Sequence, residues 1–269
     1  MTAEQTEEEL LAQARAGQRD AVEALLERHE PQIYRFALRM CGAQETAKDV
    51  LQETLLAAFK GLREFRGDAR LSTWLFQVAR SFCTKANRKR AGEPAVHEPL
   101  GAAGAEHLSA DAHKSPEAIA HAREIGEVLR AALAALPEHY REVLLLKDVH
   151  GLPVDEVAAV LGESVPATKS RLRRARLELR GLLQGVLGDA TPAAPCPELA
   201  LELAGYAAGE IDRTTCERME AHMERCPHCA RACDSLKATV KLCSSVEGDV
   251  VPAPIRAAVR AALAAQPMP

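Results

Sequence analysis

Aromatic residues are scarce in this sequence: they make up 3% of its 269 residues, whereas apolar residues of all kinds make up 47%. Alanine and leucine dominate the apolar set, and both favour helices over sheets. We therefore expect an all-α fold. At roughly 150 residues per domain, the length predicts more than one domain.

Two kinds of segment are also missing. The sequence contains no run of about 18 consecutive apolar residues, so we expect no membrane-spanning helix. The stretch from Met1 to Glu9 is acidic and lacks the apolar core of a secretory signal. We therefore expect a cytoplasmic protein without a membrane partner.

Positive charge is not in excess, since the formal net charge is −4, but it is unevenly distributed. Residues 80–90 and 169–180 are basic, whereas residues 4–9 are acidic. For nucleic-acid binding the distribution of charge matters more than the total. The pattern fits DNA binding together with a protein partner.

Residues 151–177 form the most informative segment, because their pattern predicts two helices around a tight turn. Four apolar residues recur at helical spacing in the first half: Val154, Val157, Ala158 and Leu161. Gly162 then stands where a positive φ ends a helix, and Ser164 and Pro166 are placed to begin the next one. The second helix is basic, which is typical of a helix-turn-helix that reads DNA. The alternative is a solvated basic surface helix.

Several motifs resemble those of the extracytoplasmic-function (ECF) RNA polymerase sigma factors. Asp49-Val-Leu-Gln-Glu-Thr54, Phe65-Arg-Gly, Trp74-Leu and Val78-Ala-Arg80 resemble region 2; Leu136-Pro137, Asp148-Val-His-Gly-Leu152 and Lys169-Ser-Arg-Leu-Arg-Arg-Ala-Arg176 resemble region 4. The resemblance implies a transcription initiation factor, not an enzyme. It implies region 2 over residues 8–92, a flexible linker over 93–115 and region 4 over 116–187.

The resemblance also implies roles for individual residues. Docking on the β′ clamp of the RNA polymerase core is expected of Asp49, Gln52 and Glu53, unless these form only a solvated helix face. Contacts with the promoter −10 element are expected of Phe65, Trp74, Arg80, Lys85 and Arg88, although core packing is an alternative for Trp74. Contacts with the −35 element are expected of Thr168, Lys169, Arg171, Arg173 and Arg174.

Six of the eight cysteines lie between Cys196 and Cys243. In a reducing cytoplasm such clustering favours metal or redox chemistry over disulfides. The spacing Cys226-x2-Cys229 is that of a metal knuckle, and a histidine precedes it by one helical turn. The candidate ligands are Cys196, Cys216, His222, Cys226 and Cys229. Thiolates with imidazole suit zinc, cadmium or copper(I).

The pattern Cys196-x25-His222-x3-Cys226-x2-Cys229 resembles the zinc-binding anti-sigma fold, which implies a small zinc-finger-like domain over residues 196–246. A sigma factor with such a tail resembles the CorE type, which implies regulation by metal. The alternatives are a structural zinc site and a thiol-redox switch; a thiol oxidoreductase would need a βαβ context that the sequence lacks.

A final amphipathic helix is predicted over residues 250–266 by Ile255, Val259 and Leu263, but the sequence does not indicate its partner. Also open are the signalling metal, the direction of regulation, the roles of Cys233 and Cys243, and whether a separate anti-sigma factor exists.

Overall fold

A computed structural model describes residues 5–91, 116–184, 195–245 and 250–267 of the chain. These residues form helices and no strands, so the predicted all-α fold is confirmed. The predicted linker 93–115 lies outside the described residues. Within the described part, no helix is both long and apolar enough to cross a membrane. The chain divides into two compact units, one holding residues 5–91 and 250–267, the other 116–184 and 195–245.

The first unit is a helical bundle formed by the N-terminal helices and the last helix of the chain. Its helices are α1 (Glu7–Arg15), α2 (Arg19–Cys41), α3 (Gln44–Gly61), α4 (Leu71–Ala91) and α12 (Ala253–Ala264), with a 3₁₀ turn at Leu62–Glu64. Packing of α2, α3 and α4 builds the core, where the rings of Phe36 and Phe76 meet edge to face at 5.4 Å. Gly42 ends α2 in the left-handed region, with a φ of 76°.

The second unit joins the predicted helix-turn-helix to the cysteine-rich segment. Its helices are α5 (Pro116–Ala135), α6 (Glu138–Leu144), a π-helical turn (Leu145–Val149), α7 (Val154–Leu161), α8 (Val165–Leu183), a 3₁₀ turn (Pro197–Leu199), α9 (Ala200–Ala207), α10 (Arg213–Met223) and α11 (Pro227–Ser244). Both α9 and α11 pack against α8. The cysteine-rich helices therefore share a core with the helix-turn-helix.

The turn between α7 and α8 has the predicted structure. Gly162 adopts a φ of 71°, a conformation that costs glycine little because it lacks a Cβ. Ser164 is the N-cap of α8, and its Oγ accepts a hydrogen bond from the Ala167 N–H at 3.4 Å. The helix-turn-helix geometry is thus confirmed.

Candidate metal centre and nucleic-acid interface

Four of the predicted ligands form one cluster. The donor atoms of Cys196, His222, Cys226 and Cys229 all lie within 4.8 Å of one another. Three separate pieces of structure supply them: the start of the 3₁₀ turn, the last turn of α10 and the first turn of α11. Because Cys196 lies 26 residues before His222, holding one ion would fasten the start of the 3₁₀ turn to the junction of α10 and α11.

The donor set and its spacing fit a tetrahedral metal ion. Cys196 Sγ lies 3.7 Å from His222 Nε2, and two donors bound to one tetrahedral zinc at its usual bond lengths lie about 3.5–3.8 Å apart. The Cys196 N–H donates to Cys229 Sγ at 3.3 Å. Such amide donors stabilise thiolate ligands.

Hydrogen bonds within the cluster shift the pKa values of Cys226 and Cys196 in opposite directions. Donation from the Cys229 backbone N–H, helped by the neighbouring Cys229, His222 and Cys196 side chains, lowers the pKa of Cys226 to about 7. The hydrogen bond with Cys229 and partial desolvation raise the pKa of Cys196 to about 11. At neutral pH Cys226 therefore presents a thiolate to an arriving cation more easily than Cys196 does.

Cys216 was a predicted ligand, and the structure does not place it in this cluster. Its thiol instead lies 3.4 Å from a Glu220 carboxylate oxygen. The physical reason is helix geometry: six residues along α10 rotate the side chain by about 120° away from His222. Of the other cysteines in this segment, Cys233 is buried in the apolar core between α9 and α11.

The predicted −35 residues of α8 occupy different environments. Arg174 is exposed and Lys169 is half-buried. Arg171 pairs with Glu142 at 3.2 Å and also with Glu163.

Two further members of this set face protein rather than solvent. Thr168 is fully buried, and its hydroxyl donates to the Ser164 carbonyl at 3.1 Å. Arg173 lies against Gly205 of α9, where an added Cβ would come within 2.8 Å of the Arg173 Nε. Thr168 thus has a packing role here, and the contact of Arg173 is with the cysteine-rich segment.

Arg176 has contacts that the sequence pattern did not predict. Its side chain is 1% exposed and is held by two carboxylates, Asp148 at 2.6 Å and Glu210 at 2.8 Å. Burial by itself would lower the pKa of Arg176, but the hydrogen bonds with Asp148 and Glu210 raise it overall, so the guanidinium stays charged. The available signal was periodicity, since Arg176 shares the apolar helix face of Leu172 and Leu179.

In the first unit, the predicted −10 residues Phe65 and Trp74 lie together, with ring centroids 5.3 Å apart. Arg15 of α1 holds this pair in place, because its Nη2 donates to the Phe65 carbonyl at 2.7 Å and its guanidinium lies 5.8 Å from the Phe65 ring. Arg15 is a second residue that the sequence analysis missed. Trp74 is half-buried.

The other predicted nucleic-acid and polymerase residues lie mostly at the surface. Lys85 and Arg88 are exposed near the end of α4, and Arg80 is half-buried. On α3, Asp49 and Glu53 are exposed and Gln52 is half-buried. Their roles stay predictions.

Three family models match the chain: Sigma-70 region 2 over residues 25–93, Sigma-70 region 4 over 126–179, and a putative zinc-finger over 196–230. The chain is 32% identical over 180 residues to the ECF RNA polymerase sigma factor SigM of Mycobacterium tuberculosis (strain ATCC 25618 / H37Rv), a match covering 67% of this chain and 86% of that protein. It is 30% identical over 162 residues to the RNA polymerase sigma factor YlaC of Bacillus subtilis (strain 168), covering 60% of this chain and 91% of that one.

Among solved structures, CnrH in complex with the cytosolic domain of CnrY matches with a TM-score of 0.48 and 27% identity, covering 65% of this chain and 96% of that chain. The sequence relatives align over most of their own lengths, and the two sigma models match in the expected order. The chain therefore belongs to the ECF RNA polymerase sigma factors, proteins that direct RNA polymerase to promoters and are not enzymes, and it carries a zinc-finger domain.

Proposed function

We propose that this sigma factor carries its own regulator, a zinc-finger domain that changes promoter use when it binds metal. The observation that carries the proposal is the position of Arg176, which lies on the DNA-reading helix α8 but is bound by Glu210 of the zinc-finger domain. A metal that reshapes the zinc-finger domain would therefore act directly on α8.

The resident ion in this proposal is zinc, held by Cys196, His222, Cys226 and Cys229. Three thiolates and one imidazole form a common zinc ligand set. Cadmium and copper(I) also favour thiolates, so both compete for the same site. When bound, the ion would fix the 3₁₀ turn that precedes α9 relative to α10 and α11.

Regulation requires that metal bind one arrangement of the domain more tightly than another, because a ligand without such preference shifts no equilibrium. Contacts between the metal-binding segment and α8 could couple metal binding to the position of α8. Gly205 of α9 and Glu210, just after α9, lie in the sequence between the ligands Cys196 and His222, so the ligands bracket the segment that contacts α8. A response to metal of the CorE type is the function that this coupling supports best.

Promoter recognition in this proposal divides between the two units. Lys169 and Arg174, on the accessible side of α8, would contact the −35 element, with Arg171 recruited when DNA competes with Glu142 and Glu163. Phe65 and Trp74 would receive a −10 base taken out of the stack, since an extruded base needs an aromatic surface. The cations Arg80, Lys85 and Arg88 would bind phosphates, and Asp49, Gln52 and Glu53 would dock on the polymerase clamp.

The deciding experiment is run-off transcription from an ECF-type promoter with core RNA polymerase and the metal-stripped chain. Zinc, cadmium and copper(I) are added back separately. We expect the transcript level to change at least fivefold with one of these metals. The double variant Cys226→Ser/Cys229→Ser should give the same transcript level at every metal concentration.

Cys216→Ser is the matched control, because it removes a nearby thiol outside the cluster. It should respond to metal as the unaltered chain does. Equal transcript from the unaltered chain at all metal levels would contradict metal regulation and leave a structural zinc site; a transcript that changes with peroxide alone would favour the thiol-redox alternative.

A further inference from the structure

The last helix of the chain packs on region 2, although it follows the zinc-finger domain in sequence. The apolar side chains of α12, Ile255, Val259 and Leu263, are 5%, 1% and 5% exposed. Val259 and Leu263 line one cavity together with Leu26 of α2 and Leu55 of α3, so this face of α12 lies along the groove between those two helices. Three buried aliphatic side chains spaced four residues apart are the anchors of a helix-in-groove contact.

Charge fixes the direction in which α12 lies in the groove. Arg256 Nε pairs with Glu30 at 3.3 Å, and one turn later Arg260 Nη2 pairs with Glu27 at 3.0 Å. Arg19 closes the far end, donating to the carbonyls of Leu263 at 2.7 Å and Gln266 at 3.0 Å. A cation on these carbonyls satisfies acceptors that a helix C-terminus leaves unpaired. The groove therefore selects a basic amphipathic helix in one orientation.

We propose that α12 is an intramolecular latch, and that its docking on region 2 limits how far region 2 and the zinc-finger domain can separate. The limit follows from chain length alone. Val250 follows Ser245 by five peptide links, which reach at most about 18 Å in any conformation. The other connection, from Ala91 to Pro116, has 25 links and reaches about 90 Å.

While α12 is docked, the short connection 245–250 ties the zinc-finger domain to region 2. When α12 is released, only the long connection 91–116 joins region 2 to the rest of the chain. A sigma factor must place its two DNA-reading domains on the −10 and −35 elements, which lie roughly 25 base pairs or 85 Å apart on B-DNA. Undocking of α12 extends the range of separations open to these domains. The latch does not depend on metal regulation, because it is made by contacts of α12 with α2 and α3.

The test compares two substitutions that add the same charge to α12. Val259→Glu places a carboxylate inside the groove beside Glu23, Glu27 and Glu30, whereas Ala261→Glu places it on the exposed side. In the zinc-loaded full chain, we expect hydrogen exchange of the α12 amides to accelerate at least tenfold in Val259→Glu. It should stay within twofold of the unaltered chain in Ala261→Glu.

The second readout is the distance between fluorophores placed by noncanonical residues at the exposed positions Lys60 and Lys241. Release of the latch should lengthen and broaden this distance in Val259→Glu, and in the milder double variant Arg256→Glu/Arg260→Glu, while Ala261→Glu keeps the original distribution. An unchanged distance in a variant whose α12 exchanges rapidly would overturn the proposal. These measurements use no transcription, so failure of metal regulation would not affect them.

Discussion

At the scale of single residues, the position of Arg176 changes how the positive charge of α8 is interpreted. The helix carries five or more cations in a short stretch, yet Arg176 is buried between Asp148 and Glu210, and Arg171 is paired with Glu142 and Glu163. A buried charge is tolerated only when hydrogen-bonded partners replace its water. The net count of basic residues therefore overstates the charge that α8 offers to DNA.

Replacing Arg176 should destabilise the second unit strongly. Arg176→Ala leaves Asp148 buried without its counter-charge, which costs about 3–5 kcal/mol in comparable sites. Arg213→Ala removes an exposed pair with Glu217 on α10 and should cost less than about 0.5 kcal/mol. Hydrogen exchange of α8 in increasing urea measures the unfolding of this unit.

The chain provides an internal reference for this comparison. Its single tryptophan, Trp74, lies in the first unit, so its fluorescence transition should have the same urea midpoint in both variants. If Arg176→Ala shifted the exchange of α8 no more than Arg213→Ala does, the ion pairs of Arg176 with Asp148 and Glu210 would not be what holds the zinc-finger domain against region 4.

Single residues also show which parts of the metal centre the sequence could predict. His222, Cys226 and Cys229 lie within eight residues, so their closeness in sequence predicts closeness in space, although the structure places His222 on α10 and the two cysteines at the start of α11. Cys196 came from the resemblance to the zinc-binding fold, since no local rule connects it to the others. Cys216 lies six residues before His222 on α10, and helix geometry turns its side chain about 120° away from that ligand.

At the scale of secondary structure, the turn between α7 and α8 was predictable because its signals are local. Gly162 supplies the positive φ, and Ser164 accepts from the Ala167 N–H. The partner of α12 was not predictable, since its groove is formed by helices more than 190 residues earlier in the chain. The contact of Glu210 with Arg176 was not predictable either, because these residues are 34 positions apart and meet only through tertiary packing.

Loss of the α8 cap should weaken the helix-turn-helix by a modest amount. Ser164→Ala removes an acceptor from the first turn, which costs about 1 kcal/mol in typical helices. Ser170→Ala, in the interior of the same helix, should be neutral or slightly stabilising because alanine has the higher helix propensity. Urea-dependent hydrogen exchange of α8 compares the two, and equal stability would show that the Ser164 cap contributes nothing.

At the scale of the whole molecule, the sigma fold and the zinc-finger domain do not form separate units. Region 4 and the zinc-finger domain share one compact unit, and region 2 shares the other with α12. The family boundaries in the sequence are therefore not the boundaries of packing. Loss of the metal ion should therefore alter the packing of the second unit, including region 4, before it alters the packing of region 2.

Removal of metal should accordingly loosen α8 while leaving α3 unchanged. A ligand present at 100 times its dissociation constant stabilises the folded state by about 2.7 kcal/mol, so chelation should speed exchange of α9, α10 and α11 by up to about 100-fold. Because α9 and α11 pack on α8, the C-terminal half of α8 should exchange at least tenfold faster as well. Hydrogen exchange with and without EDTA measures all four helices in one experiment.

Two substitutions separate loss of metal from other effects of the chelator. Cys229→Ser should resemble the EDTA-treated chain without any chelator, whereas Cys216→Ser should respond to EDTA as the unaltered chain does. Faster exchange confined to α9, α10 and α11, with α8 still protected, would mean that the contacts of Glu210 and Gly205 do not transmit the state of the metal centre. Faster exchange in α8 would show that the state of the metal centre reaches region 4 through the helix on which α9 and α11 pack.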